Sequence, residues 1–208
     1  MEKLTQVTSI PASLPDANID TDIIFPARFL LITEKRGLGR YAFYEKRFDA
    51  DGAARDDFVL NREPWNKSSI LITGDNFGCG SSREQAPWAL YDLGIRCVVS
   101  TSFGEIFEAN CLNNGILPVM VKQVELAALH EDAGCARELT ADLVARALVR
   151  HDGTRIPIGL PEWQSQALLN GWDEIDRALK EDCEHTERFE IFQRETMSWL
   201  YDNETRHT

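Results

Sequence analysis

The sequence predicts an α/β fold with a parallel sheet and a smaller antiparallel element, and three observations carry that prediction. Between residues 69 and 121, three short apolar runs alternate with two helical stretches. A β-α-β-α-β order of this kind joins parallel strands through crossovers. Asp152-Gly153 separates the runs 143–150 and 154–158, a strong hairpin signal. Finally, the run Ser69-Ile70-Leu71-Ile72-Thr73 feeds a glycine-rich turn that opens a helix.

Along the chain, a short strand is expected near residues 4–9, between an irregular start and Pro11. Asn18-Ile19-Asp20-Thr21-Asp22 reads as a polar Asx-type turn, and the apolar stretch after it stops at Pro26. Residues 33–57 are rich in charge and carry Gly37, Gly39 and Gly52, so they read as a long mobile loop, a class that often carries function. After the strand at 69–73, a helical stretch ends near Gly94. Strand Cys97-Val98-Val99-Ser100 follows, then a helix over 103–111 stopped by Asn113-Asn114-Gly115. A third strand covers 117–121, and 124–130 is a further helix. Residues 161–180 read as two short helices broken at Asn170-Gly171, and 180–208 as a polar extension of one 208-residue domain.

With 208 residues the chain can bury a core of ordinary size. Its 22 Lys+Arg stand against 34 Asp+Glu, a net charge of −12, which argues against nucleic acid as a partner. An anionic small molecule would need locally gathered arginines. No apolar run is long enough to span a bilayer, and the first residues lack a signal-peptide core. Cys79, Cys97, Cys111, Cys135 and Cys183 are odd in number and form no Cys-x-x-Cys pair. They give neither a disulfide framework nor a ligand set for zinc or iron–sulfur, so a reducing cytoplasm is the expected compartment.

The most informative run is Gly74-Asp75-Asn76-Phe77-Gly78-Cys79-Gly80-Ser81-Ser82-Arg83-Glu84-Gln85. A strand, a glycine-rich turn and a helix start aim several backbone N–H groups at one point, where the helix dipole is positive. Ser81, Ser82 and Arg83 add two hydroxyls and a guanidinium, so the run reads as an anion cradle. Arg83 occupies the third glycine position of a dinucleotide fingerprint, and no Gly-Lys-Ser/Thr follows, so both nucleotide readings fail. No Gly-x-Ser-x-Gly elbow is present either. Ser81 with Glu84 fits a capping box, but Pro87 would then fall beyond the first turn. An irregular helix start resolves that conflict and leaves more N–H groups free. Cys79 has no evident base beside it, so a space-filling role is the simpler reading. His130, His151, His185 and His207 read as surface residues, and Arg36 and Arg40 as solvated charges.

Four blocks resemble one known family. They are Asn18-Ile19-Asp20-Thr21-Asp22-Ile23-Ile24-Phe25-Pro26 with Arg28-Phe29-Leu30, the 74–84 run, Ser102-Phe103-Gly104-Glu105-Ile106-Phe107 continuing to Asn113-Asn114-Gly115-Ile116-Leu117-Pro118, and Leu168-Leu169-Asn170-Gly171-Trp172-Asp173-Glu174-Ile175. In this order they resemble small subunits of 3-isopropylmalate dehydratase, relatives of the swivelling C-terminal domain of aconitase. The longer 34–49 segment is similar to the bacterial form. The resemblance implies a swivelling β/β/α three-layer domain, and a large partner subunit holding a [4Fe-4S] cluster, with no cofactor or metal bound by this chain. It implies a hydro-lyase of leucine biosynthesis, interconverting 2- and 3-isopropylmalate through loss and regain of water. Ser81 would then be the catalytic base. Gly80, Ser82, Arg83 and Arg36 would bind the dicarboxylate, and Leu31 and Leu38 of the loop are candidates for shaping the isopropyl pocket. Citraconate, dimethylmalate or homoaconitate hydro-lyases share the Ser-Ser-Arg block and remain alternatives. A stand-alone anion-binding module is a reading from another class, and a serine hydrolase a poor one.

Overall fold

A computed structural model describes residues 1–32, 34–173, 175, 176, 179 and 183–201. The chain divides into two compact units, Met1–Gly171 and Trp172–Thr208.

The first unit holds two four-stranded sheets. One is parallel, in the order β2 (Ala12–Leu14), β3 (Ile70–Thr73), β4 (Cys97–Ser100), β5 (Leu117–Met120). Its registers align Ile70 with Cys97 and Cys97 with Leu117. The other is antiparallel, β1 (Gln6–Ser9), β6 (Leu139–Asp142), β7 (Ala147–Arg150), β8 (Arg155–Pro157). The 143–158 hairpin signal therefore marks only half of this sheet. Strand β6 is short and β1 pairs with it across more than 130 residues, a distance at which local pattern carries no pairing information.

Side-chain alternation explains the layering. Every residue of β3 and β4 is buried, as expected for parallel strands covered on both faces. Ile70, Ile72, Cys97, Val99, Leu117 and Val119 point into one core with Leu126, Leu129 and Ala133 of α5 (Gln123–Gly134) and with Leu139, Ala141, Leu148 and Ile156 of the antiparallel sheet. The alternate residues Leu71 and Val98 point into a second core with α3 (Gln85–Asp92) and α4 (Glu105–Asn113). Antiparallel sheet, parallel sheet and helices thus form the three layers.

The segment expected to be one mobile loop is largely anchored. Leu38, Ala42 and Phe43 are fully buried, a 3₁₀ turn covers Gly39–Tyr41 and a short helix α2 covers Tyr44–Arg47, following α1 (Thr21–Ile24) in the chain. Phe29 stacks on Tyr41 at 4.3 Å, and Tyr44 lies 4.9 Å from Phe48. The Gly39 N–H donates to Asp92 Oδ2 at 2.7 Å. Charge and glycine content masked this spacing of large apolar side chains, whose burial outweighs the entropy of ordering the loop. Residues 34–37, Arg40, Glu45 and residues 49–57 stay exposed around these anchors.

Helix α5 is bolted to the β7–β8 hairpin by Asp132, whose side chain is 4% exposed. Its carboxylate accepts from Arg150 Nε at 2.6 Å and Arg137 Nη1 at 3.1 Å, with His151 Nδ1 at 3.4 Å. Burial alone would raise the Asp132 pKa, but the hydrogen bonds from Arg150 and Arg137 and the neighbouring positive charge outweigh it and lower the value. The stabilisation is therefore complete above the ordinary carboxylate pKa and is lost as pH falls through the depressed one. Asp132→Ala is expected to cost about 1–3 kcal/mol, because it removes the charge-assisted bonds from Arg150 and Arg137 while Arg150 keeps Asp152 at 3.6 Å. Denaturant unfolding at neutral pH measures this, and the gap between variant and parent should narrow as pH falls through the depressed Asp132 pKa.

In the second unit, α6 (Glu162–Asn170) having ended the first at Gly171, helix α7 spans Cys183–Thr196 and a 3₁₀ turn spans Ser198–Leu200. His207 lies outside the described residues, as do residues 174, 177, 178 and 180 of the second helix expected before residue 180.

Candidate functional site

The cradle is built where β3 ends. Asp75 Oδ1 accepts from Thr101 Oγ1 at 2.8 Å and Ser102 Oγ at 2.6 Å, and these bonds hold its carboxyl below the usual range. Ser102 O accepts from Phe77 N at 3.1 Å, and Phe77 O from Gly104 N at 3.0 Å. This stitches the turn to the segment before α4. On the other side, Gly78 N donates to Ile19 O at 2.7 Å and Thr21 N to Cys79 O at 3.0 Å. The glycine turn is thus clamped between the 18–21 segment and the 101–104 segment.

Gly78 and Gly104 are required by this crowding. A Cβ on Gly78 would lie 2.1 Å from Phe107 Cγ, and Gly78 has φ +74°, the left-handed region. A Cβ on Gly104 would lie 2.5 Å from Gly78 O.

Ser81, Ser82 and Gly80 emerge on the exposed rim. Ser81 O accepts from Thr21 Oγ1 at 3.0 Å and from Arg83 N at 2.9 Å, which fixes the serine backbone. The N–H groups of Gly80, Ser81 and Ser82 find no acceptor among the described residues. They remain available to an anion, as the cradle reading requires. Residues 81–84 form an irregular turn and α3 begins at Gln85, so Pro87 falls in the first helical turn, where no N–H is missed. The start is irregular as expected, and the alternative Ser81–Glu84 capping box does not form: Glu84 is itself the N-cap and makes no side-chain cap bond.

Arg83 is paired with Asp22, its side chain 17% exposed against 50% for the carboxylate. The Asp-Thr-Asp turn is therefore a wall of the cradle. Asp20 caps α1 through Ile23 N at 2.7 Å, Thr21 pins Ser81, and Asp22 holds Arg83. Sequence reasoning found the turn and missed its partners, because nothing local ties Asp22 to a residue 61 positions away.

Of the loop residues expected to contribute, Arg36 and Leu31 are exposed, Leu31 at 93%. Leu38 is fully buried in the helix-side core, so in this structure it anchors the loop and does not line a surface pocket. Lys35 of the loop docks on Asn114 and Trp88. Its Nζ lies 3.2 Å from Asn114 Oδ1 and 4.4 Å from the Trp88 ring centre, while Asn114 Nδ2 reaches Glu84 Oε1 at 3.5 Å. The Asn113-Asn114-Gly115 helix stop thus doubles as a docking point for the loop.

Cys79 is half-buried in the turn, Cys97 and Cys111 are buried, and Cys135 and Cys183 are exposed. Burial pushes both the Cys97 and Cys111 thiols well above the ordinary range. Among the described residues no group of three His, Cys, Asp or Glu side chains could hold a metal ion, and no helix is long and apolar enough to cross a membrane. His130 bonds Ser13 Oγ at 2.8 Å through Nδ1, and burial lowers its pKa.

Residues 1–124 match the model of the aconitase C-terminal domain family. A 3-isopropylmalate dehydratase small subunit of Gluconobacter oxydans is 48% identical over 188 residues, covering 89% of this chain and 90% of that protein. One of the same name from Brucella canis is 46% identical over 201 residues, covering 96% of this chain and all of the relative. The solved structure of a 3-isopropylmalate dehydratase from Methanocaldococcus jannaschii shares the fold at TM-score 0.64 and 23% identity, covering 88% of this chain and 99% of that one. The glycine-turn cradle, the three layers and these relatives converge, and the chain belongs to the aconitase C-terminal domain family, among the 3-isopropylmalate dehydratase small subunits.

Proposed function

We propose that this chain is the small subunit of a 3-isopropylmalate dehydratase, working with a large subunit in the isomerisation of 2- and 3-isopropylmalate in leucine biosynthesis. The observation that carries the reading is the cradle itself, with three N–H groups that meet no acceptor among the described residues, two exposed serines and a partly buried arginine just ahead of a helix start.

Dehydration of a hydroxy-dicarboxylate needs help for a poor leaving group and for a weakly acidic C–H. A [4Fe-4S] cluster on the large subunit supplies the Lewis acid for the hydroxyl when the two are assembled. Ser81 Oγ takes the substrate proton. A serine in open water is far too weak a base, and Ser81 is exposed in this chain alone. Its negative form is favoured by the free N–H groups, the N-terminus of α3 and the Arg83 charge once a partner excludes water. Ser82 donates to one substrate carboxylate, and Arg83 clamps it through parallel N–H bonds, with Asp22 holding the guanidinium in place before substrate arrives. Gly80 lets the turn approach the ligand, and the Lys35–Arg36 strap brings further positive charge to a molecule that is acidic overall.

An anaerobic assay on 3-isopropylmalate tests this, with the chain alone and then with the reconstituted large subunit. Turnover only in the mixture is the expected result. Assembly without turnover would direct attention to citraconate, dimethylmalate or homoaconitate. Dicarboxylate binding by the chain alone, with no assembly, would overturn the subunit reading.

Arg83→Lys keeps the charge but loses the planar fork. In the assembled enzyme KM is expected to rise about 10- to 100-fold, the worth of one charge-assisted bond. Steady-state kinetics that match the parent would remove Arg83 from the clamp.

A further inference from the structure

We infer that Thr21 is a positioning residue for the reaction: its buried hydroxyl turns the Ser81–Ser82 peptide so that the Ser82 N–H is presented to an anion in the cradle. This rests on the dehydratase reading above.

A threonine that opens a helix has no carbonyl of an earlier turn to bond back to, and one that is 1% exposed is shut off from bulk water. Thr21 instead sends its hydroxyl 60 positions along the chain, donating from Oγ1 to the Ser81 carbonyl at 3.0 Å. Thr21 itself is held independently of that bond. Its N–H donates to Cys79 O at 3.0 Å, its carbonyl accepts from Phe25 N at 2.9 Å, and Asp20 before it bridges to Cys79. The hydroxyl is therefore a fixed post against which the turn is set.

The consequence lies on the other side of the peptide. A trans peptide is planar, so its C=O and N–H point in opposite directions. The Ser81 carbonyl and the Ser82 N–H belong to one such unit. With the carbonyl drawn inward to a buried hydroxyl, the Ser82 N–H is driven outward to the exposed rim, where it meets no acceptor among the described residues. The second bond to that carbonyl, from Arg83 N at 2.9 Å, closes a γ-turn over Ser82. It lies within the turn and moves with it, so it cannot fix the peptide's direction relative to α1. The carbonyls of Gly80 and Ser82 have no partner among the described residues, so they offer no second anchor. A donor aimed in advance at a developing charge is worth most to the chemical step. The Ser82 N–H favours the negative form of Ser81, whereas substrate is held by Arg83 and the Ser82 hydroxyl, and Asp22, not Thr21, anchors the guanidinium.

The test compares substitutions at Thr21 in the assembled two-subunit enzyme, by steady-state kinetics on 3-isopropylmalate. Thr21→Val keeps the volume and branching and loses the hydroxyl. Its kcat is expected to fall about a hundredfold, the lower end for losing one preorganised donor, while KM stays within about threefold of the parent. Thr21→Ser keeps the hydroxyl and loses a methyl, and should retain kcat within about threefold. A packing role predicts the reverse order. Thr21→Ala differs from Thr21→Ser only in the hydroxyl, so that pair decides if Thr21→Val fails to assemble, with the alanine enzyme expected to be the slower by a similar factor. Parental kcat in Thr21→Val overturns the positioning role while the dehydratase reading stands. A serine enzyme as slow as the valine or alanine one also overturns it, and makes Thr21 a packing residue. A loss carried wholly by KM overturns it as well. Parent enzyme that assembles but turns over no dicarboxylate of this class overturns the dehydratase reading, and the role of Thr21 falls with it.

Discussion

Ser81→Ala is expected to reduce turnover of the assembled enzyme by about a thousandfold or more, the upper range for losing a positioned general base. Nothing else in the cradle can replace it. Ser82 is the neighbouring hydroxyl, but the Thr21 Oγ1 and Arg83 N–H bonds converge on the Ser81 carbonyl and fix that residue's place. The substitution removes one exposed oxygen and no packing, so unfolding and association with the large subunit should be unaffected. The result to look for is a collapsed kcat with unchanged stability. Near-parental turnover in purified, assembled Ser81→Ala protein would take the base role away from this residue.

Gly78→Ala is expected to be the most damaging change that adds only a methyl group. Two costs combine. The left-handed φ of +74° is disfavoured for any residue with a Cβ by about 1–2 kcal/mol. The new methyl would also stand 2.1 Å from the Phe107 ring, and Phe107 is wedged edge-on against fully buried Phe77 at 5.3 Å. Overpacking of this kind adds about 1–3 kcal/mol. A destabilisation of about 2–5 kcal/mol follows, measurable by denaturant unfolding of the subunit. Activity should fall as well, since the Gly78 N–H bond to Ile19 O sets the height of the turn beneath Ser81. Combining it with Phe107→Leu should recover part of the loss, a coupling that a purely conformational penalty would not show. A variant that unfolds at the parental denaturant midpoint would contradict the close packing described above.

Much of the fold was legible because its signals are local. Three apolar runs at four-residue length, two of them buried on both faces, state a parallel sheet in their own composition. The Asp152-Gly153 turn states a hairpin. The cradle was legible for the same reason: serines, arginine, glycines and helix start are contiguous, so their chemistry is visible without knowing where the rest of the chain goes.

What stayed hidden depends on contacts between distant segments. Strand β1 looks featureless until β6 pairs with it. Residues 38–48 look like a polar loop until aromatic side chains from 25 to 48 find one another. The Asp-Thr-Asp turn reads as backbone capping until Asp22 meets Arg83 and Thr21 meets Ser81. Lys35 reads as a solvated loop charge until Asn114 and Trp88 meet it.

The sequence by itself determined the layered α/β class and the glycine-rich turn that leads into a helix with two serines and an arginine, since periodicity and adjacent residue types act within one or two turns of chain. Tertiary structure alone decided which carboxylate pairs with Arg83 and which residues of the long loop are buried as anchors. Those outcomes follow from long-range packing, in which a side chain's role is set by whatever neighbour the fold delivers to it.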